Sequence, residues 1–201
     1  MYDSRMESAS GDITAFILAG GKSTRMGMEK AFVLLEGRTL LARMLDLARS
    51  VTPKVRIVGN LAKFKPFAPV VEDAFPGCGP LGGIHAALRS SQTDLNLILA
   101  VDVPFVSYAF LQFLITRSCK SGAVVTVAHT RGGLQPLCAV YRKIFADSAE
   151  RALREGRYQI DALFDDGTTQ VIGEEELRVA GFSPELFRNL NTPQDVAGAR
   201  G

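Results

Sequence analysis

Lys22, Arg25 and Lys30 fall within nine positions of one another, directly after the glycine pair Gly20-Gly21. Cations in a glycine-rich loop suit an anion, and phosphate above all: a guanidinium offers a two-pronged fork and an ammonium a mobile point charge. The tetrapeptide Gly21-Lys22-Ser23-Thr24 looks like the end of a P-loop. That motif requires a glycine five residues before Gly21, and Phe16 stands there. The dinucleotide fingerprint G-x-G-x-x-G fails as well, because the two glycines are adjacent and residue 22 is a lysine. Two readings remain: an anion-binding loop of another kind, lined in part by helix N–H groups, or a tight turn that binds nothing. Of the three cations, Lys22 is the one expected to be merely solvated.

The second feature is a pair of aspartates. Asp102 closes the apolar run 95–101, LNLILAV, and is followed by Val-Pro. A carboxylate at the end of a buried strand is costly unless a cation or hydrogen bonds compensate. It either caps a turn or holds Mg²⁺, which is bound by one or two carboxylates together with substrate phosphates. Asp73, after the apolar stretch 69–71, admits the same two readings. His85 and His129 have no partner at metal-ligand spacing, and no G-x-S-x-G surrounds Ser23 or Ser107, so none of these is given a role. Phe105, Phe110 and Phe113 read as core.

Short apolar runs alternating with helical patterns must position these residues, which points to βαβ units and a mostly parallel sheet. Strands are expected at 13–19, 54–58, 69–71, 95–101, 123–128 and 137–141. Helices are expected at 39–49, from Pro80 onward, from an N-cap at Ser107 to about 119, over 142–155, and after Pro193. The glycine loop, Glu72-Asp73 and Asp102 each follow a strand. In an open α/β sheet ligands bind beyond the carboxyl ends of the strands.

Composition narrows the class. The chain has 201 residues, 47% of them apolar, a net charge of +2 and three cysteines without a C-x-x-C pair. These values fit one globular domain over 12–201 behind a frayed polar tail at 1–11. They give no basic field for nucleic acid, no membrane span, and free thiols suited to the cytoplasm.

The segment 18–30, LAGGKSTRMGMEK, resembles the L-A-G-G-x-x-x-R-M-G-x-x-K signature of nucleotidyltransferases. VED (71–73), GPLGG (79–83), VDVP (101–104), LQPLCAVY (134–141) and NLNTP (189–193) come after it in order, and together they resemble the molybdenum cofactor guanylyltransferase family. The resemblance implies a Rossmann-like three-layer α/β fold of the nucleotide-diphospho-sugar transferase kind. It also implies transfer of GMP from GTP to a molybdopterin-type cofactor with release of pyrophosphate. Proteins that make or receive the molybdenum cofactor would be partners. Leu18, Ala19, Gly20 and Gly21 would contact the nucleotide, with Arg25 and Lys30 at its phosphates. Asp73 would lie near the nucleoside, and Asp102 would hold Mg²⁺. The family's Asn after its second main strand falls at Asn60 in the segment I-V-G-N-L, or one position away. Asn189 and Asn191 would serve the molybdopterin side. A relative that uses CTP or a sugar-phosphate acceptor, and a nucleotide-binding regulator without catalysis, are the competing readings.

Overall fold

The computed structural model describes residues 13–20, 29–190 and Asp195. Strand β1 (Ile13–Leu18) is buried at every position, as expected of a central strand covered on both faces. A short hairpin, β2 (Leu34–Leu35) and β3 (Arg38–Thr39), leads into helix α1 (Leu40–Val51). Thr39 caps that helix: its Oγ1 accepts from Ala42 N at 3.1 Å, a contact worth about 1 kcal/mol. Next come β4 (Val55–Val58), α2 (Leu61–Phe64), β5 (Val70–Val71), α3 (Pro80–Ser90) and β6 (Leu95–Ala100). Helix α4 (Tyr108–Ser121) begins where Ser107 Oγ accepts from Phe110 N, and it ends at Gly122, whose φ of 69° lies in the left-handed region that favours glycine. The chain continues through β7 (Val125–Thr130), β8 (Gly133–Arg142), α5 (Phe145–Arg154), β9 (Thr169–Ile172) and α6 (Glu174–Val179).

One sheet takes the strands in the order β5-β4-β1-β6-β8-β7-β9. Every pairing in it is parallel except the two made by β8. Successive side chains of β1 point to opposite faces. Ile13, Ala15 and Ile17 join the apolar layer that holds α1 and α4, while Phe16 and Leu18 join the layer that holds α3 and α5. The result is the three-layer, mostly parallel α/β arrangement expected from the sequence. Among the described residues no helix is long and apolar enough to cross a membrane, and Cys78, Cys119 and Cys138 are all free.

Two expectations need correction, and one strand is not anticipated. The strand expected at 137–141 is a ten-residue strand starting at Gly133, and it runs against its neighbours. The helix expected from Arg142 starts at Phe145, because Arg142 still belongs to β8 and its N–H donates to Val124 O. Beyond Gly156 the sequence shows no clear pattern, yet β9 extends the sheet alongside β7. The tail at 1–11 lies outside the described residues, as does all but Asp195 of the terminal helix.

Register is what builds the site. Leu18 pairs with Val58 on one side and Ala100 on the other, and Val58 pairs with Val71. These four residues form one row across the sheet. The segments immediately after them, beginning at Ala19, Gly59, Glu72 and Val101, therefore leave the same edge side by side.

Candidate active site

At the centre of that edge, Lys30 Nζ donates to Asp102 Oδ2 at 2.6 Å. The two residues are 72 positions apart in sequence. The fold brings them together because the segment carrying Lys30 straddles β1. Glu29 pairs with Lys63 at 2.8 Å, on the β4 side, and the next residue reaches Asp102 on the β6 side. Lys30 opens a single 3₁₀ turn, Lys30–Phe32. The turn is anchored by buried Ala31 and by Phe32, whose ring lies 5.9 Å from Phe64 and 6.0 Å from Phe67. Both partners of the ion pair keep part of their side-chain surface open, 27% for Lys30 and 18% for Asp102. A ligand can therefore reach either charge.

Asp73 packs against the first turn of α3. A Cβ on Gly82 would come within 2.6 Å of its Oδ2, so only glycine leaves room for the carboxylate there. Phe75 N donates to Asp73 Oδ1 at 2.8 Å. Burial raises the Asp73 pKa above the usual carboxylate range, and the Phe75 hydrogen bond and the nearby His85 offset part of that rise. His85 is buried, packs edge-on against Phe75 at 5.1 Å, and lies 3.5 Å from Glu150.

Leu18 and Ala19 are buried, and the N–H groups of Ala19 and Gly20 both donate to Val58 O. Toward a ligand these residues can offer carbonyl oxygens and close backbone approach. Gly21, Lys22, Arg25 and Asn191 lie outside the described residues. Asn60 caps α2, its Oδ1 accepting from Lys63 N at 3.0 Å. Its neighbour Gly59 is the tighter constraint, since a Cβ there would meet the Phe64 ring at 2.8 Å.

On the other side of Asp102 opens a cavity of about 670 Å³. Asn189 lines it, and Leu190 N donates to Asp102 O at 3.0 Å, so the segment before the C-terminus is fastened to the same corner. The arrangement thus presents a cation and a carboxylate at the strand ends, a half-buried aspartate against a helix start, and a roomy cleft beyond. Such a site can bind a polyphosphate and a second substrate next to each other.

A family model described as "MobA-like NTP transferase domain" matches residues 15–169. The chain belongs to that family. It is 35% identical over 190 residues to a molybdenum cofactor guanylyltransferase of Desulfosudis oleivorans, covering 93% of this chain and 94% of the relative. It superimposes on a crystal structure of molybdopterin-guanine dinucleotide biosynthesis protein A from Archaeoglobus fulgidus with a TM-score of 0.80 at 28% identity, covering 93% of this chain and 96% of the other. A 2-C-methyl-D-erythritol 4-phosphate cytidylyltransferase from Thermus thermophilus shares the fold, with a TM-score of 0.69 at 17% identity and coverage of 94% and 97%. Membership makes the chain a nucleotidyltransferase.

Sequence alone assigns no role to Arg131, Gln135, Glu174 or Arg188, which line the cavity beside Asp102 and Asn189. A signal for Gln135 is present in the LQPLCAVY segment. It leads to no assignment because a parallel strand meets the ligand edge at its end. Strand β8 is inverted, so its beginning reaches the cleft instead.

Proposed function

We propose that the protein transfers GMP from GTP to the terminal phosphate of a molybdopterin-type cofactor, releasing pyrophosphate and forming the guanine dinucleotide. The observation that carries this reading is the Lys30–Asp102 pair at 2.6 Å, set between the strand-end loops and the cavity.

The acceptor phosphate is a monoester with a second pKa of about 6. It is already ionised at neutral pH, so no general base is needed to prepare it. One of its oxygens attacks the α-phosphorus of GTP; a new P–O bond forms, and the bond from the α-phosphorus to the α,β-bridging oxygen breaks, with the electron pair leaving on pyrophosphate. The difficulty is electrostatic, and such transfers are catalysed chiefly by positioning and charge stabilisation. Lys30 brings positive charge to the phosphates, with Arg25 assigned beside it. Asp73 and Asn60 are assigned to the nucleoside, the backbone at 18–21 to close approach, and Asn189 and Asn191 to the molybdopterin side.

Among the described residues no cluster of three or more His, Cys, Asp or Glu could form a self-sufficient metal cage. A single partly open carboxylate, Asp102, fits Mg²⁺ that arrives with the nucleotide, whose phosphates supply further oxygen ligands. When bound, Mg²⁺ would neutralise charge on the phosphates and on the leaving pyrophosphate. Three free thiols fit a reducing cytoplasmic setting.

Pyrophosphate release in the presence of molybdopterin, compared between GTP and CTP, tests the assignment. GTP should support a rate at least about tenfold higher, a difference of about 1.4 kcal/mol in barrier. A rate with CTP equal to or above that with GTP would replace guanylyl by cytidylyl transfer.

A further inference from the structure

The cavity beside Asp102 must accept an anion, yet its walls carry the carboxylates of Asp102, Glu174 and Glu185. Only Arg131 and Arg188 among its described lining residues are cationic. They are placed very differently. Arg131 lies at the turn between β7 and β8 with its side chain 91% exposed, and its Nε is 3.7 Å from Glu174. The Arg188 guanidinium lies over the ring of Phe105, its Cζ 4.9 Å from the ring centroid.

Both members of that stack are tied to the Asp102 corner. Phe105 comes three residues after Asp102, through Val103 and Pro104. Arg188 precedes Leu190 by two, and Leu190 N donates to Asp102 O. A guanidinium stacked on an aromatic face keeps its N–H donors in plane and directed away from the ring, an arrangement that matches the paired oxygens of a phosphate. The nearest carboxylate among the described residues, Glu185, is 3.9 Å from Arg188 Nη1, beyond hydrogen-bond reach, and it does not use up that fork.

We propose that Arg188 binds the terminal phosphate of the acceptor and so selects a phosphomonoester for this cleft, with Phe105 as the positioning residue that holds the guanidinium flat. This inference rests on the acceptor assignment under the proposed function. The leaving pyrophosphate shares the same chemistry, but the cavity lies on the far side of Asp102 from the nucleotide loops, which favours the acceptor as the anion bound.

The test compares the affinities of isolated molybdopterin (followed by pterin fluorescence), GTP and pyrophosphate in the wild type and in Arg188→Met, Arg188→Lys and Phe105→Leu. Loss of a charge-assisted contact should weaken molybdopterin by about 10- to 100-fold in Arg188→Met. GTP and pyrophosphate should stay within about twofold of wild type. Arg188→Lys should recover part of the loss, since it restores charge without the planar fork. Phe105→Leu should weaken molybdopterin by about threefold, and it should add nothing in an Arg188→Met background. A misfolded or merely loosened cleft would lower all three affinities together, and that result overturns the proposal. So does unchanged molybdopterin binding in Arg188→Met, or a loss confined to pyrophosphate. If the wild type transfers no GMP to molybdopterin, the proposed function fails and this inference falls with it. If the wild type transfers GMP while Arg188→Met binds molybdopterin normally, only this inference fails.

Discussion

Replacing Asp102 with asparagine is expected to reduce GMP transfer to below about one thousandth of the wild-type rate, a barrier increase of about 4 kcal/mol. Asparagine keeps the size and shape of the side chain, removes its charge and turns one acceptor oxygen into an NH₂ donor. The fold should survive, because the link from Leu190 to residue 102 uses the main-chain carbonyl and the strand ladder of β6 ends at Ala100. Two functions disappear together: the partner that orients Lys30 at 2.6 Å, and the carboxylate assigned to a divalent ion. An unchanged thermal midpoint alongside lost turnover would assign the effect to chemistry. A variant that keeps near-normal turnover at saturating Mg²⁺ would remove Asp102 from the mechanism.

Lys30→Met is expected to cost about 100-fold in kcat/KM for GTP, or about 3 kcal/mol, the usual consequence of deleting one preorganised charge contact. Methionine preserves the apolar stem that runs beside the anchored 3₁₀ turn, so the loss should come from the ammonium. The effect should fall more heavily on kcat than on KM if Lys30 acts mainly on charge that develops during transfer. In the double variant with Asp102→Asn the losses should fall well short of additive, since the two groups share one contact. Measured kinetics in which Lys30→Met loses less than tenfold would exclude Lys30 as a phosphate partner.

Much of this site was legible in the sequence because its residues come directly after the strongest sequence signals. The apolar runs that form β1 and β6 are buried on both faces, so they read as central strands without help from periodicity. The segment leaving such a strand at its carboxyl end lies at the ligand-binding edge of an α/β sheet. That logic leads to Gly20, Asp73 and Asp102 before any coordinate is known. Lys30 is harder to place by pattern alone. Its position depends on a turn anchored by stacking of Phe32 on Phe64, between segments 32 positions apart.

The remainder depends on features that leave little trace in sequence. The inversion of β8 is decided by its pairing partners, which its own residues do not specify. Strand β9 has four residues, only one of them buried, and is too short for a period-2 pattern to stand out. The cation–aromatic contact between Arg188 and Phe105 joins segments 83 positions apart. Asn60 shows the reverse problem: its place in the sequence suggests ligand contact, while its side chain is engaged in capping a helix. Capping and ligand binding are compatible only if the amide's remaining donors face the nucleoside.

The most direct test of the central claim is to trace the isotope from two differently labelled nucleotides in one reaction with molybdopterin. With α-³²P-GTP the label should appear in the dinucleotide product, and with γ-³²P-GTP it should appear only in pyrophosphate. Transfer of the γ-label to the acceptor, or release of inorganic phosphate in place of pyrophosphate, would contradict guanylyl transfer at this site.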